Sequence, residues 1–304
     1  MGDVICTFPA VLGLRENFPH AGIVYFTAPE FVALVRHSGV ADAVFPMSEY
    51  STFKFCDDLF DLVLEPTLHN GRTGADGRIH IVDDFCAEVG VTPPDRQPRL
   101  TIPRSLLKRV YAQISVNGEA NGPLIGIHTG PTWAVKEWAD EHWQELVCWL
   151  TTTHHARVVQ LGMDAHIYDG PRKVKRIEGS ADFVGRFSLV QAAAAIQACD
   201  LFVGIDSGPL HLAGAVGTPC VGLFGPVDSR FYLPPETPSI GVVADVPCIG
   251  CHQRKPIAHW GSNCPEEIAC MKLLPVSKVA EACDALLSRH YSKARRPATM
   301  ARST

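Results

Sequence analysis

The sequence has no run of about 18 uninterrupted apolar residues, which leaves no candidate for a spanning helix. Its N-terminus lacks the charged-then-apolar pattern of an export signal, so the expected location is cytoplasmic. It also lacks an excess of either charge. With 27 Lys and Arg against 32 Asp and Glu, the formal net charge is -5, and no overall basic field exists to hold nucleic acid. No repeat of solenoid length is present, and the one biased segment is the basic, small-residue tail YSKARRPATMARST. Disulfide scaffolding is disfavoured as well. The 11 cysteines are spread over 304 residues without an export signal, which argues for reduced thiols or a metal.

What is present is an ordinary globular composition, 46% hydrophobic and 19% charged, long enough for two domains with separate cores. Short β-rich runs alternate with stretches of helical apolar spacing. In the first half the expected strands are IVYFTAP (from Ile23), AVFPM (from Ala43) and DLVLEP (Asp61 to Pro66). PAVLGLRENF, PEFVALVRHSG and IVDDFCAEVG are the expected helices. A Pro-rich stretch, a short helix around Leu106 to Ile114 and the turn cluster NGEANGP mark a boundary. The expected division is 1–118, 119–290 and a tail over 291–304. The second half runs LIGIHTG, DEHWQELVCWLTTT, ARVVQLG, SLVQAAAAIQAC, DLFVGID, PLHLAGAVG and PCVGLFG, strand and helix in turn. Near-continuous apolar strands joined by helices predict an α/β fold with a parallel sheet covered on both faces and functional loops at the strands' carboxyl ends.

One such end is VGIDSGPLHLAGAVGTPCVGLFG, Val203 to Gly225. Asp206 closes a strand, Ser207 is placed to cap the next helix, Pro209 suits its first turn, and Gly217 ends it. The N-terminus of that helix presents backbone N–H groups and a positive dipole end, with His211 in its first turn, a setting that favours a diphosphate. On turn chemistry alone a second reading stays open, in which Asp206 and Ser207 only cap the helix and His211 is a packed side chain.

The stretch IDSGPLHLAGAVGTPCVGLFGP resembles the signature of the heptosyltransferases, glycosyltransferase family 9. Three further stretches are similar to that family: HTGPTWAVKEWADEHWQEL (His128 to Leu146), GRFSLVQAAAAIQACDLFVG and the opening MGDVICTFPAVLGLRENFPHAGI. The resemblance implies a GT-B fold, two Rossmann-like domains with parallel sheets facing across a cleft, the acceptor held mainly by the first and a nucleotide sugar by the second. It implies inverting transfer without a catalytic metal, from an ADP-heptose-like donor to a hydroxyl of a saccharide or protein acceptor. By position, Asp3 would be the general base and Lys136 a diphosphate contact. Thr129, Gly130, Asp206, Ser207, Gly208 and His211 would line the donor, and Phe187 would lie near the base. An inverting displacement asks for these residue types on its own account: a carboxylate beside the attacking hydroxyl and cationic or N–H donors around the departing diphosphate.

Two features depart from the family pattern. The sequence starts at Met1, directly before Gly2 and Asp3, without the strand the family places there, so the expectation is either a start that lies upstream or a first domain lacking that strand, and the link from Asp61 to Phe85 is short. The late run CIGCHQRKPIAHWGSNCPEEIAC offers Cys248, Cys251, Cys264 and Cys270 as ligands for a structural zinc or iron, against a reading as free thiols. Similar autotransporter heptosyltransferases bind iron through such a finger and form rings, which extends the expectation to a homo-oligomer. Peripheral attachment to the inner membrane is also expected. His154, His155, His252 and His259 are expected to be surface or packing residues, Trp138 and Trp143 core, and Trp133 a loop residue near ligand. The alternatives to transfer are a GT-B nucleotide-sugar epimerase and a non-catalytic sugar-nucleotide-binding scaffold.

Overall fold

A computed structural model describes residues 1–54, 59–66, 79–115, 122–167, 170–254 and 263–291. Two short helices, α1 (Gly2–Cys6) and α2 (Phe8–Asn17), open the first half. Thr7 stands between them, its hydroxyl donating to Val4 O (2.8 Å) and sharing a hydrogen bond with the Tyr25 hydroxyl (2.7 Å). β1 (Val24–Thr27), α3 (Val32–Ser38) and β2 (Ala43–Pro46) form a β-α-β unit with the two strands parallel. α3 stops where Gly39 turns left-handed (φ 70°), a conformation that costs glycine little. After α4 (Met47–Lys54) the segment Asp61–Pro66 departs from expectation. It has no strand assignment, and Leu62 and Val63 are at least half exposed. β-prone residues make a strand only when they pair with one, and among the described residues no strand pairs with this segment. α5 (Ile81–Glu88) and α6 (Arg104–Ile114) complete this half. The expected boundary after residue 118 lies outside the described residues, as do the tail beyond Tyr291 and His259.

The second half contains β3 (Leu124–His128), α7 (Asp140–Thr153), β4 (Arg157–Gln160), the antiparallel pair β5 (Ala165–Ile167) and β6 (Gly170–Arg172), then β7 (Ser180–Asp182), α8 (Leu189–Gln197), β8 (Leu201–Ile205), α9 (Gly208–Ala215), β9 (Cys220–Leu223), β10 (Ser239–Val242), α10 (Cys251–Arg254), α11 (Ala269–Lys272) and α12 (Val276–His290). Six strands make one all-parallel sheet in the order β10-β9-β8-β3-β4-β7. β3 and β8 are fully buried along their length, as their unbroken apolar sequences require. α8 is set by a complete capping box. The Gln191 N–H donates to Ser188 Oγ (3.3 Å) and the Ser188 N–H to Gln191 Oε1 (2.9 Å).

One face of this sheet is covered by α7 and α12, whose Trp143, Leu146, Leu150, Val279 and Cys283 bury against Ile127, Val203 and Val221. Trp138 and Trp143 are core residues as expected, and the Trp138 indole N–H donates to Leu274 O (3.0 Å). α8 and α9 cover the other face and in turn carry the first half. Leu34 and Val35 of α3 and Val110 and Ile114 of α6 belong to the same core as Ala193–Ile196 of α8. Gln97 stitches the halves, donating to Gly214 O (2.8 Å) and accepting from the Glu236 N–H (2.9 Å), while the Leu100 N–H reaches Ala215 O (2.9 Å). The two halves therefore meet through a shared apolar core at α8 and α9, beside the carboxyl edge of the six-stranded sheet.

Candidate functional site

The order of the strands reverses between β3 and β8, and the loops that leave their carboxyl ends diverge there to make a crevice, the customary ligand position in a doubly wound sheet. The β3 loop carries Thr129, Gly130 and Lys136, and the β8 loop carries Asp206, Ser207 and Gly208. Lys136 ends a single 3-10 turn, Ala134–Lys136. Its Nζ stands 2.6 Å from Asp206 Oδ2 and 4.3 Å over the centre of the Trp133 ring. Both charged side chains are nearly out of solvent, at 12% and 5% exposure. The rest of the loop is braced from beneath. Fully buried Gln160 donates to Thr129 Oγ1 (3.0 Å) and Lys175 O (2.8 Å) and accepts from the Ile177 N–H. Glu137 accepts from the Thr132 N–H (3.1 Å) and pairs with Arg172.

At α9 the geometry corrects one expectation. Ser207 occupies the N-cap in an extended conformation, but its hydroxyl donates back to Ile205 O (3.1 Å) and does not cap the helix. Pro209 contributes no N–H and the Leu210 N–H turns back to Ser207 O (3.0 Å), so the first turn presents the Gly208 N–H and the dipole end without a side-chain competitor. His211 is 9% exposed, with Nδ1 3.4 Å from the Cys6 thiol. Burial pushes its pKa down to about 4, against the opposing pull of Asp206 and Asp3, with His80 and Lys136 adding to the depression. The ring is neutral at physiological pH.

α1 lies directly on this turn. A Cβ on Gly2 would stand 2.8 Å from His211 Cδ2, and one on Gly208 would stand 3.3 Å from the Gly2 nitrogen, so α1 packs closely on the turn and a side chain at Gly2 would press on the His211 ring. Asp3, exposed on α1, lies near enough to act electrostatically on His211, Cys6 and Tyr232. His80 completes the wall and was not legible in the sequence. Its Nε2–H donates to Leu233 O (2.7 Å), its Nδ1 caps α5 by accepting from the Val82 N–H (3.2 Å), and burial lowers its pKa. Histidine is not among the usual capping residues, so no pattern marks it. Cys6, His80, Gln97, His211 and Pro234 surround a cavity with room for about one water.

Asp3, Lys136, Asp206, Ser207, Gly208 and His211 are thus brought together, with Thr129 and Gly130 at the head of the β3 loop. Phe187 lies farther along the edge, after β7, where its ring stacks on Phe183 (5.4 Å, 5°) with the Arg186 guanidinium 5.7 Å from the Phe183 ring. The cysteine segment docks beside the β3 loop. The His252 N–H donates to Pro226 O (2.9 Å), the Gly250 N–H to Gly225 O (2.9 Å), and the His252 ring lies 6.1 Å from Trp133. Burial, then the neighbouring Cys248 and Cys264, raise the Cys251 pKa, and burial with the other three thiols raises Cys270 to about 12. The four thiols act electrostatically on one another, and their soft donor chemistry suits zinc or iron. Among the described residues, however, no three His, Cys, Asp or Glu donors converge as a metal site.

A family model described as glycosyltransferase family 9 (heptosyltransferase) matches residues 79–259, more than half of the chain and the whole crevice apart from α1. The chain belongs to glycosyltransferase family 9. Among curated relatives, lipopolysaccharide heptosyltransferase 1 of Pseudomonas aeruginosa is 28% identical over 128 residues, 42% of this chain and 36% of that protein. The chain thus spans about a third of that relative's length in the matched stretch. Among solved structures, E. coli ADP-heptose lipopolysaccharide heptosyltransferase II superposes with a TM-score of 0.68 at 18% identity, covering 96% of this chain and 97% of that one. The iron-containing dodecameric glycosyltransferase TibC of enterotoxigenic E. coli gives 0.69 at 18% identity, over 95% and 74%. Together with the parallel sheets, these family 9 neighbours establish the GT-B fold.

Proposed function

We propose that the chain is an inverting heptosyltransferase that takes heptose from ADP-heptose and attaches it to a hydroxyl of a saccharide or protein acceptor. The observation that carries this reading is the convergence of Lys136, Asp206, the uncapped first turn of α9 and His211 at the sheet's switch point. Asp206 holds Lys136 by its ammonium group, so the cation is already oriented when a diphosphate arrives. Lys136, the Gly208 N–H and a neutral His211 donor then offset the charge that grows on the leaving ADP. Asp3 takes the proton from the acceptor hydroxyl as its oxygen bonds to the anomeric carbon and the bond from that carbon to the diphosphate breaks. The electron pair leaves with ADP, and attack opposite the leaving group inverts the centre. Thr129 and Gly130 line the donor, Phe187 flanks the base, and the half before residue 119 receives the acceptor.

The same reading assigns Cys248, Cys251, Cys264 and Cys270 to a structural zinc or iron that has no part in the transfer, and it includes self-association and a cytoplasmic position at the inner membrane. Support comes from the four thiols that act electrostatically on one another, from TibC being iron-containing and dodecameric, and from the fact that no helix of the described residues is long and apolar enough to cross a membrane. Metal analysis of the purified chain beside a Cys248→Ser/Cys251→Ser variant tests the metal.

The activity is tested by incubating the chain with ADP-heptose and heptose-deficient lipopolysaccharide core. A product one heptose heavier, with the anomeric configuration opposite to the donor's, is expected. Consumption of the nucleotide sugar without acceptor would indicate an epimerase, and binding without consumption a scaffold. Either result overturns the reading.

A further inference from the structure

We propose that Cys6 is a positioning residue for His211, its thiol donating to Nδ1 and so holding the proton of the imidazole on Nε2. The proposal deepens the reading of the diphosphate site and takes its catalytic meaning from it, but its geometry stands apart from any nucleotide. Cys6 ends α1 and His211 sits in the first turn of α9, so the contact of 3.4 Å joins residues 205 positions apart. Both side chains are buried, which disfavours a thiolate–imidazolium pair, because two charges would have to be separated out of water. Burial raises the Cys6 pKa well above its ordinary value, with Asp3 and Asp206 adding to the rise. A protonated thiol therefore faces a neutral imidazole. Thiol sulfur is a weak acceptor, whereas an unprotonated imidazole nitrogen is a good one, so the hydrogen bond runs from Sγ–H to Nδ1.

No other ring does this work. His80, across the same small cavity, has both nitrogens committed to backbone, Nε2–H to Leu233 O and Nδ1 to the Val82 N–H. The charged and titratable groups acting on His211 are Asp206, Asp3, His80 and Lys136, and among the described residues none of these stands at hydrogen-bond distance from its ring. Fixing the proton on Nε2 makes that nitrogen a donor wherever the ring is neutral, as the proposed contact with a leaving diphosphate requires. The choice of tautomer by the partner of the other nitrogen is the general means by which a histidine is set for one role.

The test is nitrogen-15 NMR of the His211 ring in the full chain, without nucleotide, for the native protein, Cys6→Ser and Cys6→Ala. Between pH 5 and 8 the native ring should show a protonated Nε2 and an unprotonated Nδ1. Cys6→Ser, which keeps a donor, should retain that signature, and Cys6→Ala should shift the ring toward a mixture of tautomers. A native Nδ1–H tautomer, or an unchanged ring in Cys6→Ala, overturns the proposal; if Cys6→Ala does not fold, the native and Cys6→Ser spectra decide. ADP-heptose affinity measured on the same proteins should fall about five- to tenfold in Cys6→Ala and recover in Cys6→Ser. A changed tautomer with unchanged affinity would leave Cys6 in its positioning role and remove His211 from the donor site.

Discussion

Lys136 and Asp206 stand 2.6 Å apart across the switch point, one from the loop after β3 and the other from the loop after β8, both nearly excluded from water. Removing one partner leaves the other charge buried and uncompensated. Lys136→Met should therefore lower stability by about 3 kcal/mol, whereas Lys136→Met with Asp206→Leu should recover most of it. Denaturant unfolding of the three proteins checks this. Because the stable double variant lacks the cation proposed to meet the diphosphate, its transfer rate should remain down by about 10²-fold or more.

Asp3 gives the opposite pattern. It is exposed on α1, so Asp3→Asn should shift stability by no more than about 0.5 kcal/mol. As the proposed base, it should carry about 10²- to 10⁴-fold of kcat. Steady-state kinetics beside thermal unfolding of the same variant separate the two effects.

His128 and His211 set a pH dependence. Burial lowers the pKa of each to about 4 from an ordinary 6.5, so both are neutral in the native state where the unfolded chain already holds a proton. Between about pH 6.5 and pH 4 the unfolded state binds more protons, and stability falls as pH is lowered, by up to about 1.4 kcal/mol per pH unit for each ring, levelling off below. The lowered carboxyls of Asp95 and Asp182 act in a lower window, below their ordinary 3.8. His128→Asn should make the slope above pH 4 shallower in a series of thermal melts.

Gln97 holds the halves together through Gly214 O and the Glu236 N–H. Gln97→Ala removes both hydrogen bonds, but the Gly214 carbonyl keeps the Thr237 hydroxyl and the Gly217 N–H as donors and Glu236 is exposed, so the cost should be about 1 kcal/mol in denaturant unfolding. An unchanged midpoint would mean that the shared core alone joins the halves.

The turn between β8 and α9 was legible because its signals are local. An unbroken apolar strand, a small capping position, Pro209 and Gly217 write β8 and α9 into consecutive residues, and the structure alters only what Ser207 does with its hydroxyl. β7 was not legible, since Ser180–Asp182 is three half-buried residues at a sheet edge with no apolar run. α12 was legible in principle, for Val276, Val279, Ala280, Cys283, Leu286 and Leu287 fall at helical spacing, a signal the reading of the sequence did not use. Asp61–Pro66 shows the converse, strand chemistry that pairs with no strand among the described residues. The site's partnerships lay beyond reach. Residue types suggested Lys136 and Asp206 separately, but their ion pair, the Cys6–His211 contact and the bracing by Gln160 join residues tens to hundreds of positions apart, and only the assembled sheet brings them together.

The central claim is that the switch point between β3 and β8 binds the diphosphate of an ADP-sugar. Calorimetric titration of the native chain and His211→Ala with ADP-heptose, ADP, UDP and GDP tests it most directly. The account predicts preferential binding of the two ADP ligands, weakened by His211→Ala. Binding of none of the four, or affinities that His211→Ala leaves unchanged, would contradict it.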